Sequence, residues 1–177
     1  MGCMEMTEIS VRLASDEDDL DAARELCREW LDWHWKNYPP GWPRGDDHPM
    51  DPVGFNAILD TLPDLHKRPL GGIIIASVGG KPAGCVMYSE ASAGLAEFKR
   101  MFVSASGRGH GLGRKMLDRM FTQMAADGYA RVFFSSAVFL THARAMYDAA
   151  GFVPMSHPAG FPDKWRDKVY FMERSLT

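Results

Sequence analysis

Eight residues in the middle of the chain, Ser106-Gly107-Arg108-Gly109-His110-Gly111-Leu112-Gly113, have the composition of an anion cradle. Four glycines in seven positions let the backbone take turns that a Cβ would obstruct, and let a ligand approach main-chain amides closely. The helical pattern that follows begins with unbonded N–H groups at the positive end of its dipole, which suits phosphate oxygens. Arg108 and Arg114 would add charge-assisted contacts. From Lys99 through Arg119 the basic residues are Lys99, Arg100, Arg108, Arg114, Lys115 and Arg119 against one acid, Asp118, a local charge of +5 in a chain of formal charge -3. A solvated helix after a flexible turn would show the same spacing, so the segment alone indicates an anion site and names no ligand.

Two other phosphate motifs fit less well. A nucleoside-triphosphate loop ends Gly-Lys-Ser/Thr, whereas this one ends Gly113-Arg114-Lys115. A dinucleotide fingerprint belongs to an early strand-to-helix unit with an acid near the end of the next strand, and that context is missing.

The elements around the cradle can be read from periodicity. Ile9, Val11 and Leu13 alternate with polar residues and predict a first strand over Glu8–Ala14. Ser15 offers a helix cap with Asp18 as its acidic partner, and Leu20, Ala23, Cys27 and Trp30 continue at helical spacing to about Lys36. Tyr38–Pro52 is rich in proline and glycine, too irregular for a helix, and reads equally as a substrate-facing flap or a packed surface loop. Phe55, Ile58, Leu59 and Leu62 suggest a short helix ending before Pro63. Ile73–Val78 and Ala83–Ser89 form a hairpin about Gly79–Gly80.

Leu95–Val103 is a third long strand candidate, with Glu97, Lys99, Met101 and Val103 on one face and Phe98, Arg100 and Phe102 on the other. Charges on both faces of a central strand imply that one end or one face opens onto a site. A helix follows over Gly111–Ala126, stopping at Gly128, then a strand over Ala130–Ser136 and a helix through Ala143, Met146, Tyr147 and Ala150 that stops at Gly151. Phe152–Val153 is extended, Pro154–Asp167 irregular, and Lys168–Glu173 a last strand. The order predicts one α/β domain over residues 1–177, with a core of about 9–174, in which helices cover a mixed sheet.

Composition bounds the rest. With 46% hydrophobic and 24% charged residues the 177-residue chain reads as an ordinary globular domain, and its acidic balance argues against a nucleic-acid footprint. Cys3, Cys27 and Cys85 show neither metal-ligand spacing nor a disulfide framework, which suits a reducing compartment and predicts a cytoplasmic location. Met1–Ser10 carries Glu5 and Glu8 and lacks the apolar core of a secretory signal, and no apolar run reaches membrane-spanning length. The six histidines are scattered, so no metal is expected.

The run from Glu97 to Gly113 resembles the coenzyme A signature of the GCN5-related N-acetyltransferase superfamily: a strand ending at Val103, then Arg108, two residues, Gly111, one residue, Gly113. Ala143-Arg144-Ala145-Met146-Tyr147-Asp148-Ala149-Ala150-Gly151-Phe152 resembles the later Ala, Tyr and Gly-Phe block of that family, in the same order and at a similar separation. The resemblance covers about Ile9–Arg174 and is strongest over Pro82–Val153. It implies a mixed, largely antiparallel sheet of six to seven strands, flanked by helices and splayed between its fourth and fifth strands. Acetyl-coenzyme A would be the donor, with its pantetheine arm in the opening and its pyrophosphate on the glycine turn.

By the same resemblance, Phe102, Val103 and Ser104 would bind the pantetheine arm through their backbone, and Arg108, Gly109, His110, Gly111, Leu112, Gly113 and Arg114 would hold the phosphates. Glu97 matches a strand position that serves as a base in some members; a carboxylate partly screened from water accepts a proton more readily, although an ion pair with Lys99 is the plainer role. Tyr147 matches the position whose hydroxyl often lies near the coenzyme sulfur, as general acid or thiolate stabiliser, though its ring could simply pack. Leu140 stands where the family often has Asn.

Trp33, Trp42, Arg44, Trp165 and Arg166 are the candidate acceptor contacts. An arginine among aromatics suits a small amine carrying a carboxylate or an aromatic group. The leading expectation is direct acetyl transfer to a small primary amine or amino-acid-like metabolite. A protein N-terminus or lysine as acceptor, and a coenzyme A-binding regulatory protein with little catalysis, are the alternatives. A homodimer is compatible with the resemblance, and no membrane or nucleic-acid partner is expected.

Overall fold

The computed structural model describes residues 6–177; Cys3 and Glu5 lie outside the described residues. In chain order it comprises β1 (Ile9–Leu13), α1 (Glu17–Asn37), α2 (Pro52–Asp60), α3 (Leu62–Leu65), β2 (Gly72–Val78), β3 (Lys81–Ser92) and β4 (Leu95–Val103). It continues with a 3-10 turn (Ala105–Gly107), α4 (Leu112–Ala126), β5 (Arg131–Ala137), α5 (Thr141–Ala149), β6 (Val153–Met155), α6 (Asp163–Arg166) and β7 (Val169–Ser175). The seven strands form one open sheet in the order β1-β2-β3-β4-β5-β7-β6. Every pairing is antiparallel except β4 with β5. The expected mixed, largely antiparallel sheet flanked by helices is therefore present.

Local chemistry explains most boundaries. The hairpin between β2 and β3 turns on Gly79 and Gly80, at φ +59° and +80°, the pair of positive values that a two-residue turn between twisted strands requires. α1 begins one residue later than the sequence suggests. Asp16, not Ser15, is its cap, accepting from the Asp19 amide at 2.9 Å, while Asp19 accepts from the Ser15 amide at 2.8 Å and pairs with Arg12 through two 2.7 Å contacts. The second helix, α2, ends at Asp60, before Pro63 as expected, but Leu62 belongs to a further short helix: proline lacks the N–H that a first turn leaves unbonded, so Pro63 sits inside the opening turn of α3.

Two cores cover the two faces of the sheet. On one, α4 buries Met116, Leu117, Met120 and Met124 against Ile74, Val86, Phe98, Val132 and Phe134. On the other, α1 and α2 bury Leu26, Cys27, Leu31, Phe55 and Leu59 against Ile73, Ile75, Cys85 and Met87. Each such fully buried side chain contributes roughly 1.5–3 kcal/mol of transfer free energy.

The largest departure from simple periodicity is in β4. Lys99 pairs with Met87 and Phe102 with Cys85, so two residues, Arg100 and Met101, oppose one, and Arg100 takes φ +53°. This β-bulge reverses the alternation beyond Lys99. Phe98, Met101 and Val103 consequently face the α4 core, and Phe102 packs on the α1 side. The expectation that Phe98 and Phe102 share a face is thereby corrected.

Candidate active site

β4 and β5 pair over only three positions, Leu95 with Arg131, Ala96 with Val132 and Glu97 with Phe133. Beyond Glu97, β4 keeps its partner β3 and β5 keeps β7. The two strands therefore diverge toward their C-terminal ends and leave a wedge between them, at the place where the sheet was expected to splay.

The bulge decides which backbone groups face the wedge. The Ser104 amide donates to the Ala83 carbonyl at 2.8 Å, and the Ser104 carbonyl accepts from the Gly107 amide at 3.0 Å. The Ser104 amide is thus committed to β3, which corrects the expectation that it binds a ligand, while its carbonyl keeps a second lone pair; its hydroxyl pairs with that of Ser106 at 2.8 Å. Successive residues of an antiparallel ladder turn their amides to opposite edges. With Ser104 bonded toward β3, Phe102 also points to β3, and Val103 and Met101 turn their groups toward β5. Of the three expected backbone contacts, Val103 alone faces the wedge. Met101 joins it unannounced, because only the bulge places it there.

At the wedge's open end lies the glycine turn. Gly109 and Gly111 adopt φ +82° and +67°, and Gly111 is the N-cap of α4. The first amide of the helix ladder is that of Lys115, bonded to the Gly111 carbonyl at 3.2 Å, so the amides of Leu112, Gly113 and Arg114 are free to meet an anion. A Cβ built on Gly109 would meet no atom within 4 Å, so the turn faces open space. Arg108 is exposed beside it, and His110 is half-buried. Arg114 is not aimed at the cradle: its guanidinium bonds Asp118 at 3.0 Å and the Ala149 carbonyl at 2.9 Å, tying α4 to the end of α5. Its side-chain role at the phosphates is corrected accordingly, while its amide remains in place.

Tyr147 lies on α5 with its ring among Phe134, Phe98 and Phe152, at centroid distances of 4.3, 5.9 and 6.1 Å. Its hydroxyl donates to the Met101 sulfur at 3.8 Å. Burial, reinforced by Tyr170, pushes the phenol above its ordinary pKa, so it keeps its proton at neutral pH. α5 itself starts at Leu140 without a side-chain cap. Glu97 stands on β4 where the wedge closes, half-buried, 3.8 Å from the Lys99 ammonium. Tyr147 belongs to the α4 face and Glu97 to the opposite one.

On the α1 face, loops that are far apart in sequence meet around Phe139, just past the C-terminal end of β5. Trp33 stacks on Phe139, two residues past β5, at 6.4 Å and 9°. Trp42 meets Phe139 edge-on at 5.5 Å, Trp165 meets His48 at 5.2 Å, and the Arg44 guanidinium lies over the rings of Tyr38 and Trp35 at 5.1 and 5.4 Å. Four of the five expected acceptor residues are thereby gathered into one aromatic cluster. Arg166 is not: it bonds Asp163 and the Phe161 carbonyl within its own loop.

The cluster also holds His34, Tyr38, His48 and Phe139, which spacing did not single out. A hint exists in His34 and Tyr38, four residues apart across the end of α1, but Phe139 and His48 arrive only through the fold. The loop over residues 38–51 is pinned by the Trp35 indole donating to the Met50 carbonyl at 2.8 Å, by the Tyr38 hydroxyl donating to the Pro43 carbonyl, and by Lys164 pairing with Asp47 at 2.6 Å. Burial, aided by His48, depresses His34 to about 4. No group of three or more His, Cys, Asp or Glu side chains among the described residues is placed to hold a metal ion. No helix among them is long and apolar enough to cross a membrane.

The sheet is thus wedged open between two parallel strands, with free helix N-terminal amides at one end and an aromatic cluster on the α1 face. Residues 27–152 match the acetyltransferase (GNAT) family, and the chain belongs to it: by class it is a GNAT-family domain. It is 30% identical over 102 residues to an IAA acetyltransferase of Azospirillum brasilense, a match that spans 57% of this chain and 65%, less than two thirds, of that relative. The fold is similar to that of a GNAT-family acetyltransferase from Staphylococcus aureus Mu50, with a TM-score of 0.72 at 17% identity over 96% of this chain and 100% of the other. It is also similar to the PaiA N-acetyltransferase of Thermoplasma acidophilum solved in complex with coenzyme A, with a TM-score of 0.68 at 13% identity over 95% and 99% of the two chains.

Proposed function

We propose that the protein transfers the acetyl group of acetyl-coenzyme A directly to the nitrogen of a small primary amine or amino-acid-like metabolite. The observation that supports this reading is the convergence of Trp33, Trp42, Arg44 and Trp165 from separate segments into one aromatic cluster beyond the end of β5, the kind of lining that suits a compact acceptor. The pyrophosphate rests on the amides of Gly109–Arg114 beside Arg108, and the pantetheine arm runs along the free edge of β4 at Met101 and Val103.

Glu97 removes a proton from the attacking amine, and Tyr147, which keeps its own proton at neutral pH, supplies one to the departing thiolate. The new C–N bond forms as the C–S bond breaks, and no covalent enzyme intermediate is involved. Alignment of two bound substrates supplies much of the rate enhancement. Cytoplasmic residence accords with Cys27 and Cys85, which are buried and free.

The test is to offer acetyl-coenzyme A with separate pools of small amines, amino acids and peptides while recording free thiol and acetylated products. Acceptor-dependent thiol release with small amines is expected. Turnover with peptides alone would transfer the reading to a protein acetyltransferase, and donor binding without turnover on any pool to a regulatory coenzyme A-binding protein.

A further inference from the structure

The aromatic cluster contains one polar atom with no partner. His34 is 5% exposed, and its Nε2 makes no hydrogen bond. Around it stand the rings of Tyr38, His48 and Phe139, with centroids at 5.2, 5.5 and 5.6 Å. A buried ring nitrogen without a partner is costly in either tautomer, and a bound ligand is one way to supply the missing partner, a donor when the proton sits on Nδ1. His48 does not fill the role, since its Nδ1 accepts from the Met50 amide at 2.9 Å and no bond joins the two imidazoles.

A second unused group lies at the rim. Arg44 is exposed, stacked over Tyr38 and Trp35, and forms no ion pair among the described residues; Asp47, three residues on, is held instead by Lys164. Further cations edge the cluster, with the Lys168 ammonium over Trp42 and that of Lys164 over Trp165, each at 5.9 Å. Both lysines are already paired, Lys164 with Asp47 and Lys168 with Asp167 at 2.9 Å, so Arg44 is the cation of this rim without an acidic partner among the described residues, and its guanidinium fork matches a carboxylate in two parallel bonds.

We infer that the acceptor is an amine that also carries a carboxylate, its N–H donated to His34 Nε2 and its carboxylate held by Arg44. Both groups stand against the Tyr38 ring, at 5.2 and 5.1 Å from its centroid, and no hydrogen bond joins them, so the ligand proposed carries its nitrogen and carboxylate at opposite ends, as in an ω-amino acid. His34, kept neutral by burial, accepts from the nitrogen without repelling it. This narrows the acceptor of the acetyltransferase reading and rests on it.

The test is calorimetric titration of the full-length protein, with and without coenzyme A, using 4-aminobutyrate, butylamine and butyrate as probes. 4-Aminobutyrate is expected to bind on the order of tenfold or more tightly than either single-function probe, because both handles are charge-assisted or buried. Arg44→Gln, at an exposed position, should erase the advantage over butylamine. His34→Phe, which keeps a ring and loses the acceptor, should erase the advantage over butyrate, and His34→Gln, which returns an acceptor near Nε2, should restore part of it. Equal binding of the three probes, no binding of 4-aminobutyrate, or an advantage untouched by Arg44→Gln would each overturn the inference. Thiol release from acetyl-coenzyme A with other amines judges the acetyltransferase reading separately, so turnover of simple alkylamines without affinity for 4-aminobutyrate would sink this inference alone.

Discussion

The Tyr147 hydroxyl reaches the Met101 sulfur at 3.8 Å, tying α5 to the residue that the β4 bulge turns toward the wedge. A thioether is a weak acceptor, easily exchanged for the sulfur of a donor lying along the same edge. Under the proposed function, this is the place where a protonated phenol would meet the thioester sulfur.

Tyr147→Phe should lower kcat by about 100-fold while leaving donor affinity nearly unchanged, since only the proton donor is removed. Steady-state kinetics with a separate coenzyme A titration check this. Equal kcat at saturating substrates would remove Tyr147 from the chemistry and leave it a packing residue among Phe98, Phe134 and Phe152.

For Glu97, replacement by Gln keeps the shape and removes the base. The expected outcome is a kcat at neutral pH lower by about 100-fold and loss of the descending acid limb of the rate profile. A profile of unchanged form would show that the titrating base is another group, and would leave Glu97 as the ion-pair partner of Lys99.

Gly109→Ala separates conformation from contact. The added Cβ meets nothing within 4 Å, but φ +82° is a left-handed conformation that costs an L-residue about 1–2 kcal/mol. Thermal stability should fall by no more than this, whereas the Michaelis constant for acetyl-coenzyme A should rise roughly tenfold as the cradle amides shift, an effect of order 1.4 kcal/mol. A donor constant equal to that of the parent would remove this turn from the phosphate site.

The Arg12–Asp19 pair predicts a pH dependence of folding. The hydrogen bond from Arg12, then the Ser15 amide, hold Asp19 at about 2 against an ordinary 3.8, with burial opposing. A depressed folded-state pKa contributes stability that is complete above about 4 and disappears as pH falls toward 2. Because Arg12 is half exposed, the contribution is discounted for screening to about 1–2 kcal/mol. Asp19→Asn should lose that amount at pH 7, and its stability should converge on that of the parent near pH 2, as read by urea unfolding. A constant difference across this range would refute the linkage.

Much of the fold is legible in the linear pattern because its signals are local. Alternation marks β2 and β3, two positive-φ glycines mark the hairpin, and Met116, Met120 and Met124 at helical spacing mark the face of α4 that is fully buried. What escaped the pattern depends on exchanges between neighbours. Ser15 and Asp16 are both competent caps, and the choice went to Asp16 because Asp19 is committed to Arg12 and the Ser15 amide. Arg114 has the charge for a phosphate contact, but Asp118 and the Ala149 carbonyl lie within its reach and take it.

By itself the sequence determined the proposed donor side of the protein: the glycine turn, the helix N-terminus behind it and the strand before it are contiguous, so a cradle of free amides is built from the backbone of one short segment. Tertiary structure alone decided the acceptor side. The bulge at Arg100 selected which β4 amides face the wedge, and folding brought His34, Arg44, Phe139 and Trp165 together from four separate segments. No periodicity records such a meeting, because side chains that converge across loops carry no common spacing along the chain.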